Sequence, residues 1–547
     1  MSPGSAMARL AIVIGTFVLA LVAMAYLGTW GGAAGPITYL RGQRDPSTTL
    51  PRGRGEGQPR RVSVQIDTAS QLRTVSSRYL SFAVDTSQLV GGQWWDPKAR
   101  SKELGTGSVP AIRVDFDRRR LDALVRPLLP AFLRVGGSEA DKLYYDPEGQ
   151  FEVPPEGYAS VLHADRWAEL QRFVGRHDLE LVFTLNAGPS ARDDDGRWVP
   201  DNAESLLRHA QARGDRVARF ELGNEANLFW YVFGPLHAAR AEQYARDLQT
   251  ARSLVTRYFP HAQLTGQSSA FWPVIGEPLS LLFDFQEDYL RAAGPYVDYV
   301  SWHYYPQQSR RCFGASRRAH PARLLEPRHL DEVATYADWN AHWRDRHAPG
   351  KPLWMGETGN AQCGGEPGVS DRFVASLWWL DQLGLLARHA HDVVVRQTLT
   401  GSDYGLLSEP ELKPRPDYWA SVLWKRLMGT AVLAATSDDP QLRVYAHCAS
   451  TRAAEHGAVT VLAINLDPHR PAAIELGASV QAFVMDAPDV VGRTVRLNGR
   501  PLELAGTDTS TIVVPEPGDW GQRVVEATLP PVSYGFLVID GPASACP

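Results

Sequence analysis

Between Tyr79 and Gly429, short apolar runs alternate with longer amphipathic segments about eight times. The runs Tyr79–Asp85, Phe132–Ser138, Glu180–Asn186, Val217–Leu222, Ala262–Gln267, Val297–Tyr305, Pro352–Met355 and Asp392–Thr398 have strand length and few polar interruptions. Helical periodicity over Leu121–Leu129, Ala164–His177, Asn202–Arg213, Ala238–Tyr258, Leu279–Ala293, Leu330–Arg346, Asp371–His389 and Tyr418–Met428 predicts the intervening helices. Apolar strands separated by helices predict a parallel sheet covered on both faces, and about eight repeats predict a TIM (β/α)8 barrel.

After Thr430 the pattern changes. Gln441–Ala446, Ala458–Asn465, Thr494–Leu497 and Val532–Val538 read as strands separated by turn residues, with no helix between them. This predicts a C-terminal β-sandwich, to which the alternating strand Val62–Ile66 is expected to add. The expected division is 1–28 signal peptide or signal anchor, 29–61 linker, 62–78 N-terminal strand, 79–430 barrel and 431–547 sandwich. Leu10–Leu27 is apolar almost throughout and about long enough to span a bilayer. Ala23-Met24-Ala25 fits a small-x-small cleavage site, so cleaved signal and membrane anchor both stay open, and both export the rest of the chain. The linker carries Arg41, Arg44, Arg52, Arg54 and Arg60 and reads as a solvated tether or a contact for an anionic surface.

Composition narrows the picture a little. Apolar residues are 44% and charged residues 21% of the chain, as in ordinary globular proteins, and the net charge of −5 does not suggest a nucleic-acid partner. The 16 tryptophans suit either a large core or a cleft that stacks on sugar rings. No metal motif occurs and the 15 histidines are scattered, so no metal and no cofactor is expected. Gly136-Gly137 and Gly364-Gly365 do not lie in a phosphate-loop fingerprint, although their amides are able to bind a carboxylate. Of the four cysteines, Cys312 and Cys363 fall in the barrel and Cys448 and Cys546 in the sandwich. One bridge within each pair is expected, as befits an oxidising compartment.

The candidate chemistry sits at two strand ends. Phe220-Glu221-Leu222-Gly223-Asn224-Glu225 and Leu353-Trp354-Met355-Gly356-Glu357 are apolar strands that stop at a glutamate. Two carboxylates at the C-terminal mouth of one barrel are what glycosidic bond cleavage needs. Glu225 is the expected acid/base and Glu357 the expected nucleophile. Asn224, Arg134, His303 and Tyr305 stand on or near strand ends, where they would separate the two acidities; an arginine beside Glu357 would keep it ionised.

Arg78-Tyr79-Leu80-Ser81-Phe82, Leu133-Arg134-Val135-Gly136-Gly137, Glu221-Leu222-Gly223-Asn224-Glu225, Trp302-His303, Gly356-Glu357-Thr358, Arg396-Gln397 and Pro416-Asp417-Tyr418-Trp419 occur in one order. With them the chain resembles the heparanases and bacterial β-glucuronidases of glycoside hydrolase family 79. The sandwich carries a weaker likeness, in Arg443-Val444-Tyr445-Ala446-His447-Cys448, Ile464-Asn465-Leu466 and Leu497-Asn498-Gly499. The resemblance implies a barrel with a sandwich and retaining cleavage at β-linked glucuronic acid in a glycan. It assigns the same roles to Glu225 and Glu357. It places Asp85, Ser138 and Asn224 near sugar hydroxyls. Tyr404 and the amides around Cys363 and Gly364 would hold the uronic carboxylate, with Tyr305 and Gln397 nearby.

The chain also departs from the family pattern. Ala226 stands where many relatives have proline, and Gln362-Cys363 where the animal enzymes have Tyr-Gly, so a Cys312–Cys363 bridge would pin two loops at the carboxylate site. No long excised segment separates the first two barrel strands, so two-chain maturation is not expected. Gln267-Ser268-Ser269 replaces the basic residues that follow the fifth strand in animal heparanase. Arg310, Arg311, Arg317, Arg318 and Arg323 crowd the loop after strand six and read as a polyanion contact or a solvated loop. Internal cleavage of a heparan sulfate-type chain, trimming of terminal glucuronic acid, another sugar, and a glycan-binding protein without catalysis are the readings carried forward.

Overall fold

The computed structural model describes residues 50, 57–94, 109–266, 268–271, 285–312, 317–454, 457–504, 520–541 and 543–546. The apolar run 10–27, the linker arginines at 41, 44, 52 and 54, Gln267 and the first turns of the helix expected at 279–293 lie outside these residues. Among the described residues no helix is long and apolar enough to cross a membrane.

Eight parallel strands form the barrel: Leu80–Asp85, Phe132–Gly136, Glu180–Leu185, Arg219–Leu222, Gln263–Gly266, Val300–Tyr304, Leu353–Thr358 and His391–Arg396. The eighth pairs with the first. The fifth is split: Gln263–Gly266 pairs with strand four, while the following piece, Ser269–Phe271, pairs with strand six. The two pieces together complete the ring.

Helices fill the connections because their apolar residues recur at helical spacing. Ala164–Arg176 buries Trp167, Leu170, Phe173 and Val174 and turns its charged residues outward. Phe373–Arg388 is different, with every residue from Phe373 to Ala387 buried. One side faces the barrel and the other the sandwich. There Phe373 stacks on Tyr534, and Asp381 accepts bonds from Arg443 Nε (2.8 Å) and Tyr445 (2.7 Å). This helix is the shared wall of the two layers.

The second sheet is antiparallel apart from one parallel pairing, and it holds more strands than the sequence pattern shows. Pro416–Leu427 passes directly into the strand Met428–Ser437, which pairs with Leu442–Ala449. Ala472–Glu475 and Val480–Asp486 are further members, while the stretch expected at 494–497 contributes only Arg496–Leu497. The N-terminal strand runs from Arg60 to Thr74, antiparallel to Met428–Ser437 and parallel to Ala472–Glu475. Val62 and Val64 point into a core with Leu433, Val461, Ile474 and Leu537. Arg60, which reads as a linker residue, begins this strand and forms ion pairs with Asp439 and Asp467. The Cys448–Cys546 bridge ties the sheet to the last residues of the chain.

Candidate active site

Alternation along strand two turns Phe132, Arg134 and Gly136 to the barrel axis. Phe132 and, from neighbouring strands, Val182, Trp354, Val393 and Val395 make an apolar layer near the strand starts, with Tyr299 just ahead of strand six. The Arg219 guanidinium lies 4.3 Å over the Phe132 ring and 4.9 Å over that of Trp354. Above this layer the interior becomes polar.

Arg134 is 1% exposed and uses its whole fork. Nε donates to Glu221 Oε2 at 2.8 Å, Nη1 to Glu357 Oε2 at 2.7 Å and Nη2 to Asn224 Oδ1 at 3.0 Å. Thr184 donates to the same Glu221 oxygen at 2.9 Å. Gly136 makes room for this arrangement, because a Cβ there would meet Thr184 Oγ1 at 2.6 Å and Arg134 Cζ at 2.8 Å. The guanidinium therefore spans strands two, four and seven at one height, and the buried charges are paired.

Glu357 owes its aim to a bulge. Trp302 pairs with Met355 and His303 with Glu357, so strand seven has one extra residue, Gly356. Besides Arg134, Glu357 accepts a 2.6 Å bond from the Tyr305 hydroxyl on Oε1, so each of its oxygens has a donor. Beneath it, buried Arg396 donates to the carbonyls of Thr358 (3.2 Å) and Gln397 (2.9 Å) and pairs with Asp417 at 2.6 Å, propping the strand end.

Glu225 follows strand four with a left-handed backbone, φ 53° and ψ 49°. Its loop is held on both sides. Buried Asp141 accepts the amides of Ala187 and Asn224, each at 2.8 Å, and Asn227 exchanges two bonds with the backbone of Ala270. The Glu225 side chain is 15% exposed and reaches His303 Nδ1 at 2.9 Å. Burial pushes its carboxyl up to about 7, against the opposing pull of Arg134. Burial likewise lowers His303 to about 4, so this imidazole is neutral near pH 7.

One oxygen from each of Glu225 and Glu357 and a His303 ring nitrogen lie within 4.8 Å of one another. That geometry could gather a cation. The surroundings favour proton chemistry instead, because Arg134 brings a positive charge to Glu357 and donors already meet both its oxygens.

The other expected residues are distributed unevenly. Asp85, at the end of strand one, accepts the amide (2.9 Å) and hydroxyl (2.7 Å) of Ser87, and Gln397 Nε2 lies 3.3 Å from its second oxygen. Burial raises the Asp85 carboxyl to about 7, opposed by the Ser87 bonds. The rings of Tyr305 and Tyr404 lie 6.3 Å apart, beside the strand-seven loop. Ser138 is exposed and, among the described residues, its hydroxyl has no bond to this network. The bridges are Cys312–Cys363 and Cys448–Cys546, the pairing expected. The arginine-rich loop is a correction. Arg310 pairs with Glu366, buried Arg311 with Asp403 and Arg317 with Glu332, so these charges serve the protein's own structure.

A family model described as "Glycosyl hydrolase family 79, N-terminal domain" matches residues 61–384. The chain belongs to glycosyl hydrolase family 79. Among relatives, Heparanase-like protein 1 of Arabidopsis thaliana is 31% identical over 430 residues, covering 74% of each chain. Heparanase of Bos taurus is 28% identical, covering 89% of this chain and 92% of its own. A Homo sapiens relative named Inactive heparanase-2 is 26% identical over 92% of both. Among solved structures, a GH51 arabinofuranosidase from Xanthomonas axonopodis pv. citri superposes with a TM-score of 0.61 at 16% identity. It covers 88% of this chain and all of its own, a likeness of fold.

Three residues of this family 79 site carry no role in the sequence reading: Glu221, Asp141 and Thr184. Glu221 had a visible signal, an acid inside an apolar strand two residues before a Gly-Asn-Glu end. Such a buried charge requires a partner.

Proposed function

We propose that this chain is a retaining glycoside hydrolase that cleaves β-D-glucuronide linkages within heparan sulfate-type glycans. The observation that carries the reading is the close approach of two unlike carboxyls. Their oxygens lie within 4.8 Å, which suits the roughly 5–5.5 Å carboxyl separation of retaining enzymes better than the roughly 6.5–9.5 Å of inverting ones.

Glu225, raised to about 7, holds a proton for the leaving glycosidic oxygen. Glu357, gripped by Arg134 and Tyr305, attacks the anomeric carbon as that bond breaks, giving an ester-linked glycosyl-enzyme. Arg134 and Tyr305 stay in place while the Glu357 oxygen gives up charge to the sugar. Glu225, now a carboxylate, takes a proton from water as the water attacks the same carbon and the ester bond to Glu357 breaks, which frees the Glu357 carboxylate and releases the product with its original anomeric configuration. His303 Nδ1, 2.9 Å from Glu225 Oε1, holds that carboxyl in position.

Asp85 and Asn224 serve the sugar hydroxyls. Tyr404 and the amides of Cys363 and Gly364 serve the uronic carboxylate, with Gln397 alongside. The relatives named heparanase support a polymeric acidic substrate. Two disulfides support a site of action outside the cytoplasm, with residues 10–27 as the export segment or anchor.

The test is incubation with heparan sulfate and with an aryl β-glucuronide, following product size and the first-formed anomer by NMR. Intermediate fragments and a β product are expected. An α product would overturn retention; free glucuronic acid alone would replace internal cleavage by end trimming. The relative named inactive gives a second reading, glycan binding without turnover. It predicts binding and no product from either substrate.

A further inference from the structure

We infer that the Cys312–Cys363 bridge positions the backbone that recognises the substrate's carboxylate, and so sets the preference for an acidic sugar. The inference rests on the uronide reading above. It concerns this chain's own device, since the bridge occupies the place where cysteine stands in departure from the family pattern.

The bridge joins the loop after strand six to the loop after strand seven. On the latter, Cys363, Gly364 and Gly365 have φ of 57°, 80° and 80°, three successive residues in the left-handed region. Glycine enters that region freely, whereas a residue with a Cβ does so at a cost. Cys363 takes it up with its side chain covalently committed to the neighbouring loop.

The carbonyls on this stretch are already occupied. Gly364 O accepts the Asp403 amide at 2.8 Å and the Ser402 hydroxyl. Gly365 O accepts Arg311 Nη1 at 2.9 Å, and Arg311 also pairs with Asp403. The amides of Cys363 and Gly364, by contrast, donate to no protein acceptor among the described residues. Tyr404 packs beside the same loop, since a Cβ on Gly359 would lie 2.9 Å from the Tyr305 ring and 3.2 Å from that of Tyr404. The stretch is thus held from the carbonyl side by Arg311, Ser402 and Asp403 and from the side chain by sulfur. Two donors remain for an anion, and they retain their aim only while the backbone keeps its left-handed turn.

The two bridges also differ in access. Cys312 and Cys363 are half-buried, while Cys448 and Cys546 are 8% and 6% exposed. A dithiol such as dithiothreitol delivers two electrons and two protons to a disulfide, leaving two thiols and its own cyclic disulfide, and it meets the half-buried bridge first.

The experiment compares 4-nitrophenyl β-glucuronide with 4-nitrophenyl β-glucoside on the full chain and on Cys312→Ser, which leaves Cys363 and its amide in place. The glucuronide KM should rise about tenfold while glucoside turnover is unchanged, the size expected when hydrogen bonds to a charged group are weakened. The wild-type chain, mildly reduced and alkylated, with mass spectrometry confirming that Cys448–Cys546 is intact, should show the same split. This arm keeps the test valid if the variant fails to fold. An unaltered glucuronide KM after loss of the bridge would overturn the inference. So would an equal loss on both sugars, which would mark the bridge as a general brace. A wild-type chain that does not prefer glucuronide over glucoside overturns the uronide reading itself, and the inference with it.

Discussion

The two ends of the barrel interior are built on opposite principles. Near the strand starts, Phe132, Tyr299 and Trp354 pack with their rings tilted against one another, with the Arg219 guanidinium laid over them. Near the strand ends, the inward-pointing positions carry Arg134, hydrogen-bonded to Glu221 and Glu357, and His303, bonded to Glu225. A change of volume in the lower layer costs stability, but the layer has no chemistry to lose. The upper layer holds charges that are costly to bury, which are present because they are paired and aimed. Stability and reactivity are therefore separable in this chain along a single axis, in the division of labour usual for such barrels.

Substitutions at the two ends should separate cleanly. Glu357→Gln should reduce turnover by about 10⁴-fold or more, with the fold and substrate binding retained; measurable turnover at near wild-type rate would remove Glu357 from the nucleophile's role. Glu225→Gln should cost roughly 10²–10⁴-fold on polymer and much less on aryl glucuronides with activated leaving groups, where no proton is needed. A uniform loss across leaving groups would deny it the acid role. At the other end, Trp354→Ala should lower stability by about 3–5 kcal/mol, read as a fall in Tm, while kcat of the folded enzyme stays near wild type. A fall in kcat without a fall in Tm would erase the distinction.

Acidity gives a finer test. The Glu225 proton is held up to about pH 7, so the rate on a poor leaving group should fall as pH rises through 7, by about tenfold per unit above it. That limb should vanish in Glu225→Gln. At the smallest end of the scale, Arg318→Ala on the exposed rim should change kcat/KM on heparan sulfate by less than about twofold at moderate salt. A large, salt-dependent loss would mean that the rim takes part in binding.

Much of this division was legible before any coordinates. The strand and helix rhythm from Tyr79 to Gly429 reflects the burial of both faces of a parallel sheet, and it placed Glu225 and Glu357 at strand ends. Contacts between distant residues were not legible. Asp141 reaches the Asn224 amide across 83 positions, and nothing local marks a buried acid as a backbone acceptor. The arginines after strand six read as free charge, because Asp403 lies 92 residues from Arg311 and Glu366 56 from Arg310. Within the N-terminal strand expected at 62–78, alternation ends near Ile66. The strand continues to Thr74 because Met428–Ser437 supplies backbone partners, a ladder that needs no buried side chains.

That last pairing bears on how the chain comes to be folded at all. Arg60–Thr74 is synthesised before any barrel strand, yet its partners Met428–Ser437 and Ala472–Glu475 follow the whole barrel. Contacts of such long range are slow to form. The shared helix Phe373–Arg388 waits for the same event, because Tyr445 and Tyr534 of the second sheet, which pack on Gly384 and Phe373, are made last. Until the final strands arrive, a nascent barrel exposes the outer side of this helix and an unpaired leading strand. Both are surfaces on which chaperones act and aggregates begin.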